Sequence, residues 1–305
     1  MSITYSFVIP HHNTPDLLQR LIDSIPQRED IEIIVVDDNS DDDKKANITR
    51  SDVRTIYIDK EHTKGAGRAR NVGMDAATGK WLLFADADDF YKPGFINVLD
   101  EYKDNDIDIL FFNVDSVDSK TLMPDKKKRS SYQQRVVNSY DGSKESANNM
   151  LFFRYAPWCK MISNEFVKKY GFQYEETSIN NDSFFALQTS YFATKWKVDK
   201  RILYTLTMCV GSITYSKVSK CKYVDSLNVY RRRAKLFDYM GHPEWNVNSY
   251  RGKYSQSCWK YIYKLIRRQP SSGINALFYY LTHWREIEKK SQYYVEVFEA
   301  LKRIR

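Results

Sequence analysis

Apolar residues in the first two thirds of the chain come in short runs broken by polar clusters, and the runs alternate between two periods. Residues 5–9 are a short apolar run ended by Pro10. Residues 15–25 then carry Leu17, Leu18, Leu21, Ile22 and Ile25 on one helical stripe that opens with a proline, which predicts strand, loop, helix. Residues 31–36 are β-branched with nothing polar but Glu32, the pattern of a strand covered on both faces of a parallel sheet. Strand signals recur at 53–58, 81–85, 107–114 and 198–204, and helix signals at 66–77, 164–170 and 182–192. Strands alternating with helices imply crossover connections and an open, mostly parallel sheet, with ligands expected beyond the carboxyl ends of its strands. Residues 119–135 are charged and poor in apolar positions, which predicts an exposed loop or hairpin.

From residue 225 the pattern changes to helical throughout. YRRRAKLFDYM, CWKYIYKLIRR and INALFYYLTHWREIEKK read as amphipathic helices, separated near Gly241-His242-Pro243 and Pro270-Ser271-Ser272-Gly273. Charge divides at the same place. The 305 residues carry a net +8, yet residues 225–305 hold 16 Lys and Arg against 7 Asp and Glu, whereas the first 224 hold 31 against 32. The tail also has 16 of the 45 aromatic residues. Two regions are therefore expected, an α/β region over 1–224 and a basic, aromatic-rich helical region over 225–305. Basic helices bearing Trp259, Tyr261, Tyr263 and Trp284 suit an anionic membrane surface, although the same aromatics would also serve to pack helices on the first region. A nucleic-acid partner is not expected, because no recognised motif accompanies the basic residues.

Composition excludes other classes. A 42% hydrophobic, 15% aromatic chain can build a core and is not disordered, and it lacks the long apolar run of a membrane span. The first residues, MSITYSFVIPHHN, have neither the basic start nor the cleavage site of a secretory signal, and Cys159, Cys209, Cys221 and Cys258 are scattered without zinc or disulfide spacing. A cytoplasmic protein with reduced thiols is the expectation.

Three polar constellations carry chemistry. Pro10-His11-His12-Asn13 follows the first strand and the acids of IIVVDDNSDD follow the second. A carboxylate at such a strand end accepts a hydrogen bond from a base imide or a ribose hydroxyl, and Asp38 is the candidate; the same acids would also cap a helix or solvate a turn. Asp86-Ala87-Asp88-Asp89 follows the strand at 81–85. Three crowded carboxylates are tolerable where a divalent cation or open water compensates, and a D-x-D spacing of hard oxygens suits Mg²⁺ or Mn²⁺ beside a diphosphate; acid clusters also end ordinary strands. Between them lies Lys64-Gly65-Ala66-Gly67-Arg68-Ala69-Arg70-Asn71-Val72-Gly73. It is not a dinucleotide fingerprint, which must follow the first strand. It reads as a helix start that brings cations near an anionic ligand, or as a helix packed through small residues.

Taken together, FVIPHHNTPDLLQRLIDSI, EIIVVDDNSDD, GAGRARNVGMDAATGKWLLFADADD and, more weakly, APWCKMISNEFVKKYGFQYEE followed by NND resemble the inverting glycosyltransferases of family 2, over roughly residues 3–205. The resemblance implies a GT-A nucleotide-diphospho-sugar transferase fold of α/β class with a C-terminal helical extension, and an enzyme of the bacterial polysaccharide or capsule type. It implies a metal-dependent hexosyl or N-acetylhexosaminyl transfer from a nucleotide sugar, UDP-linked by resemblance alone, to a glycan or lipid-linked acceptor. Carried over by position, Pro10 and His12 would line the nucleotide pocket, Asp38 would hold the base, Asp86 the ribose or sugar, and Asp88 the metal, Mn²⁺ or Mg²⁺. Arg70 would lie close to the donor. The family's Glu-Asp pair reads Asn181-Asp182 here, and an amide cannot take a proton, so Asp182 is the expected catalytic base. Cys209-Val210-Gly211-Ser212-Ile213-Thr214 resembles a segment that family members often precede with arginine, a role that leaves Lys217, Lys220 or Lys222 as substitutes or no contact at all. These two departures keep a second class in view, a non-catalytic nucleotide- or sugar-binding module on the same fold.

Overall fold

The apolar runs of the first half become strands of one open sheet. The structure is a computed structural model that describes residues 2–46, 48, 50–125, 130–208, 218–242 and 258–304. Its strands are β1 (Tyr5–His11), β2 (Ile31–Asp38), β3 (Val53–Ile58), β4 (Trp81–Phe84), β5 (Phe90–Tyr91), β6 (Ile109–Asp118), β7 (Lys160–Ser163) and β8 (Trp196–Met208), in the spatial order β3-β2-β1-β4-β7-β6-β8-β5. Helices α1 (Pro15–Asp23), α2 (Ala66–Ala76), α3 (Phe95–Asp100), α4 (Ser131–Asn138), α5 (Lys144–Phe152), α6 (Asn164–Tyr170) and α7 (Asp182–Phe192) accompany them. The sheet is mixed: β3, β2, β1 and β4 run parallel, as do β6 and β8, while β7 is antiparallel to both β4 and β6, and β5 is antiparallel to β8.

Both faces of the central strands are covered, which is why their sequences read as continuous apolar runs. On one face Phe7, Ile9, Ile33, Val35, Leu83, Leu110 and Phe112 pack with Leu18, Leu21 and Ile22 of α1. Burying each such side chain contributes about 1.5–3 kcal/mol. On the other face α2 lies so close that a Cβ at Gly73 would fall 2.5 Å from Val8. Beside it Phe84 meets Tyr174 and Phe185 edge-on, with those two rings stacked at 4.0 Å.

Strand order and pairing create the crevice. β1 is flanked by β2 on one side and β4 on the other, so the topology reverses there and the carboxyl ends splay apart. β1 pairs with β4 only through Val8–Phe84 but follows β2 as far as His11–Asp37. Pro10 therefore continues the strand instead of ending it: past Val8 one flank carries no ladder, and a residue without an N–H is tolerated there. The expected loop at 119–135 is also shorter, because α4 begins at Ser131 and buries Val136 and Val137. β7, α3 and α5 have no counterpart in the hydrophobic pattern. β7 is only four residues long and begins with a buried lysine.

Among the described residues, those of 177–180, 218–242 and 258–304 form a second compact unit, apart from those of 2–176 and 181–208. It contains α8 (Lys220–Tyr239), α9 (Cys258–Arg268) and α10 (Pro270–Lys302), and the compositional step at residue 225 falls inside α8. Leu227, Cys258, Ile262, Leu265, Ala276, Tyr280 and Ile287 form its core. Glu288 of α10 receives Arg231 and Lys235 of α8. No helix among the described residues is long and apolar enough to cross a membrane.

Candidate active site

The polar clusters that end β1 and β2 interlock. Asp37 is buried and accepts hydrogen bonds from the Ser40 and Ala46 amides at 2.9 and 3.1 Å, and pairs with His11 Nδ1 at 2.9 Å. Burial opposes its ionisation, but the two amides and the histidine outweigh it and hold the carboxyl below the usual range. Asp37 is thus a brace for the turn. Asp38 is also buried and takes the Thr63 hydroxyl at 2.7 Å, while its carbonyl oxygen lies 2.9 Å from Nδ1 of the exposed His12. Asn13 and Asn39 both adopt left-handed backbone conformations, which asparagine tolerates better than most residues, and so turn the chain at both strand ends.

Across β1, the segment after β4 divides its three acids between separate tasks. Asp89 is buried, accepting from the Thr207 amide at 2.7 Å and the Tyr204 hydroxyl at 3.0 Å, and the same hydroxyl accepts the Asp86 amide. The Asp88 carbonyl is gripped by Arg20 at 2.6 Å and by the Thr207 hydroxyl. Asp88 itself is half-buried on this pinned backbone. The Asp86 carboxylate takes Arg70 at 2.6 Å.

Arg70 links that strand end to α7. It projects from α2, whose start needs both glycines: Gly65 has φ of 80°, and a Cβ at Gly67 would lie 1.9 Å from the Glu175 carbonyl oxygen. Asn71 of the same helix holds Tyr174 through its amide and carbonyl, at 2.8 and 3.0 Å. Arg70 then donates to Asp86 with one nitrogen and to Asn181 Oδ1 with another at 2.9 Å, with its guanidinium over the Tyr174 ring. Burial disfavours its charge, but Asp86, Tyr174 and Asp182 more than compensate and hold its pKa above the ordinary arginine value. Asn181 occupies the N-cap position of α7 without capping it, because its oxygen is turned to Arg70; Asp182 is the first helical residue and is half-buried. Lys64 and Arg68 pair with Glu176 instead of pointing to the crevice residues.

One feature escaped the hydrophobic pattern. Arg154 and Lys160 are both buried, and neither forms an ion pair with a carboxylate among the described residues. Lys160 donates to the Arg154 carbonyl at 3.0 Å and lies over the Phe111 ring, while Arg154 Nε and Nη1 have no hydrogen-bond partner. Burial and the neighbouring Arg154 push the Lys160 pKa down to about 7, with Asp182 acting in the opposite sense. The only sequence signal was a lysine inside an apolar stretch.

The crevice thus has Pro10 and His12 at the end of β1 with Asp38 at the end of β2 beside them, and Asp86 and Asp88 after β4, with Arg70 of α2 joining Asp86 to the start of α7. Such carboxylates can accept hydroxyl hydrogen bonds, offer hard oxygens to a cation, or take up a proton. A family model described as Glycosyl transferase family 2 matches residues 6–171, more than half of the chain and the whole of this crevice except α7. The chain belongs to glycosyl transferase family 2. Among relatives of this family 2 chain, the GalNAc(5)-diNAcBac-PP-undecaprenol beta-1,3-glucosyltransferase of Campylobacter jejuni is 36% identical over 100 residues, 31% of this chain and 32% of that protein. Glycosyltransferase GlyG of Streptococcus pneumoniae is 31% identical over 127 residues, 39% of this chain and 42% of that protein. The matched stretches thus span about a third to two fifths of these curated relatives. The crystal structure of S. aureus TarS 1–349 in complex with UDP-GlcNAc superposes with a TM-score of 0.57 over 99% of this chain and 92% of that one, at 18% identity, a likeness of fold. The sequence departure at Cys209–Thr214 and its substitute Lys217 lie outside the described residues, and Lys220 and Lys222 lie in the first turn of α8.

Proposed function

We propose that this family 2 chain transfers a sugar from a nucleoside-diphosphate sugar to a hydroxyl of a glycan or lipid-linked acceptor by single displacement. The observation that carries the reading is the bridge from Asp86 through Arg70 to Asn181, which keeps the first residue of α7 beside the acidic end of β4. Asp182 takes the proton of the acceptor hydroxyl as that oxygen bonds to the anomeric carbon. The bond from that carbon to the diphosphate oxygen breaks on the opposite side, and configuration inverts. Asn181 cannot serve as base, since an amide oxygen accepts a hydrogen bond from Arg70 but not a proton. Asp38 and His12, with Pro10 beside them, receive the nucleoside, and Asp86 the ribose or sugar. UDP is the favoured carrier because TarS, of like fold, was crystallised with UDP-GlcNAc, and a lipid-diphosphate-linked acceptor is favoured by the undecaprenol-linked substrate in the name of the Campylobacter relative.

No three His, Cys, Asp or Glu side chains gather as a metal cage among the described residues. A Mg²⁺ or Mn²⁺ held by one carboxylate and the donor's phosphates needs none, and Asp88 fits as that carboxylate: it is half-buried on a fixed backbone, between Asp86 on Arg70 and Asp89 on Tyr204 and Thr207. When bound there, a divalent cation neutralises charge on the departing diphosphate. We place the enzyme in the cytoplasm, at the inner face of an anionic membrane through its second unit.

The test is transfer from a panel of UDP-sugars with Mn²⁺ by the wild type and Asp182→Asn. The variant should lose at least about 100-fold in rate while binding UDP normally. Transfer by the variant at the wild-type rate would remove Asp182 as base. Donor binding by the wild type without transfer or hydrolysis would instead favour a non-catalytic binding module.

A further inference from the structure

The second unit exposes one side of its helical hairpin, and that side is both apolar and cationic. α9 and α10 pack against each other along two close contacts: a Cβ at Gly273 would lie 2.4 Å from the Ile266 backbone, and Trp259 meets the Tyr280 ring edge-on at 5.3 Å. Cys258, Ile262 and Leu265 of α9 turn to one side of that seam, with Ala276 and Ile287 of α10, and meet Tyr223 and Leu227 of α8 there. On the other side, among the described residues, the hairpin's large apolar side chains are exposed. At about 100° per residue, Tyr263 and Arg267 of α9 rotate from the seam in the opposite sense to Ile262. Ile274, Phe278 and Leu281 of α10, spaced i, i+4 and i+7, rotate likewise from Gly273 and Tyr280. Because the two helices run in opposite directions, these two rotations bring both stripes to one surface, away from α8. Phe278 is 65% exposed, Tyr263 59%, Leu281 57% and Ile274 47%.

Charge selects the occupant. From Cys258 to Leu281, the stretch that forms this surface, there are four Lys and Arg residues and no Asp or Glu. The cations crowd one another: burial, then Lys260 and Arg268, hold the Lys264 pKa below the ordinary lysine value. A second copy of this chain would bring the same positive charge to the same surface. An anionic bilayer brings the opposite charge at its headgroups and an apolar layer just beneath, matching aliphatic and aromatic side chains ringed by Lys and Arg.

We infer that the α9–α10 surface formed by Tyr263, Ile274, Phe278 and Leu281, with Arg267 at its margin, is a docking face for an anionic lipid bilayer. This deepens the membrane attachment proposed above and does not depend on the transfer reaction. Full-length protein is floated with vesicles of phosphatidylcholine, or of phosphatidylcholine mixed with phosphatidylglycerol, at low and high salt. The wild type should float with the anionic vesicles only, less so at high salt. Phe278→Glu/Leu281→Glu should bind at least tenfold more weakly, whereas Tyr293→Glu, exposed farther along α10, should bind nearly as the wild type does. Unaltered thermal unfolding of each variant checks that it is folded. If the wild type binds no vesicle, attachment and face both fail. If the double variant binds as well as the wild type, the face is wrong though attachment stands. If Phe278 and Leu281 instead support self-association without vesicles, a second copy is the occupant and the inference is overturned.

Discussion

Replacing Arg70 by methionine removes the guanidinium while keeping an apolar stem in its place beside Tyr174. Arg70 is 6% exposed and Asp86 31%. Breaking a buried ion pair by deleting one partner costs about 3–5 kcal/mol, since the other charge is left in a poorly solvated place. Asp86 keeps some water, which lowers that cost, while Asn181 loses a charge-assisted hydrogen bond, which raises it by about 1 kcal/mol or more. A destabilisation of about 2–4 kcal/mol follows, measured as a shift in urea midpoint at unchanged slope. The double variant Arg70→Met/Asp86→Asn removes the stranded charge and should recover about half of the loss. Transfer by Arg70→Met should fall roughly 100-fold, because α7 loses the tie that sets Asp182 against the end of β4. Stability of Arg70→Met within about 0.5 kcal/mol of wild type, a change expected of surface substitutions, would refute the reasoning. So would a double variant no more stable than the single one.

Asp88→Ala should abolish the Mn²⁺-dependent part of UDP binding in calorimetric titration, and an unchanged titration would reject Asp88 as the metal carboxylate. Lys160 has a pKa of about 7 in the folded chain against 10.5 when exposed, so the unfolded state binds the extra proton between those values. Folding stability from this group therefore rises with pH from about 7 to about 10 and is lowest at and below neutrality, by an amount on the order of 4 kcal/mol. Lys160→Met removes the dependence, so its stability advantage over wild type in urea unfolding should be larger at pH 7 than at pH 9. An equal difference at both pH values would show that Lys160 does not titrate in this range.

The strands at the switch point were legible because a strand buried on both faces must be apolar throughout, whatever its partners. β1, β2 and β4 announced themselves this way, as did the acids that follow them. β7 did not, because a four-residue strand starting with a buried lysine has no period to read. Mixed pairing in the second half of the sheet was likewise invisible, since β7 is too short for its side-chain pattern to reveal its direction. Among the candidate residues, sequence pattern could not tell Asp37 from Asp38, or Asp88 from Asp89. All four stand at the ends of apolar runs; what separates them is which amides and hydroxyls surround each carboxylate.

Periodicity and composition thus established the α/β class, the order of the polar loops and the split between a near-neutral first part and a basic, aromatic tail. These properties follow from local burial and local charge, which each segment carries whatever it packs against. Long-range contact settled the rest. Arg70 meets Asn181 across 111 positions of sequence, Tyr204 meets Asp89 across 115, and only the folded sheet brings such groups within hydrogen-bond reach. The tail's positive charge was countable in the chain. Its gathering with the exposed Phe278 and Leu281 on one side of a hairpin was not, because that depends on which side α8 already occupies.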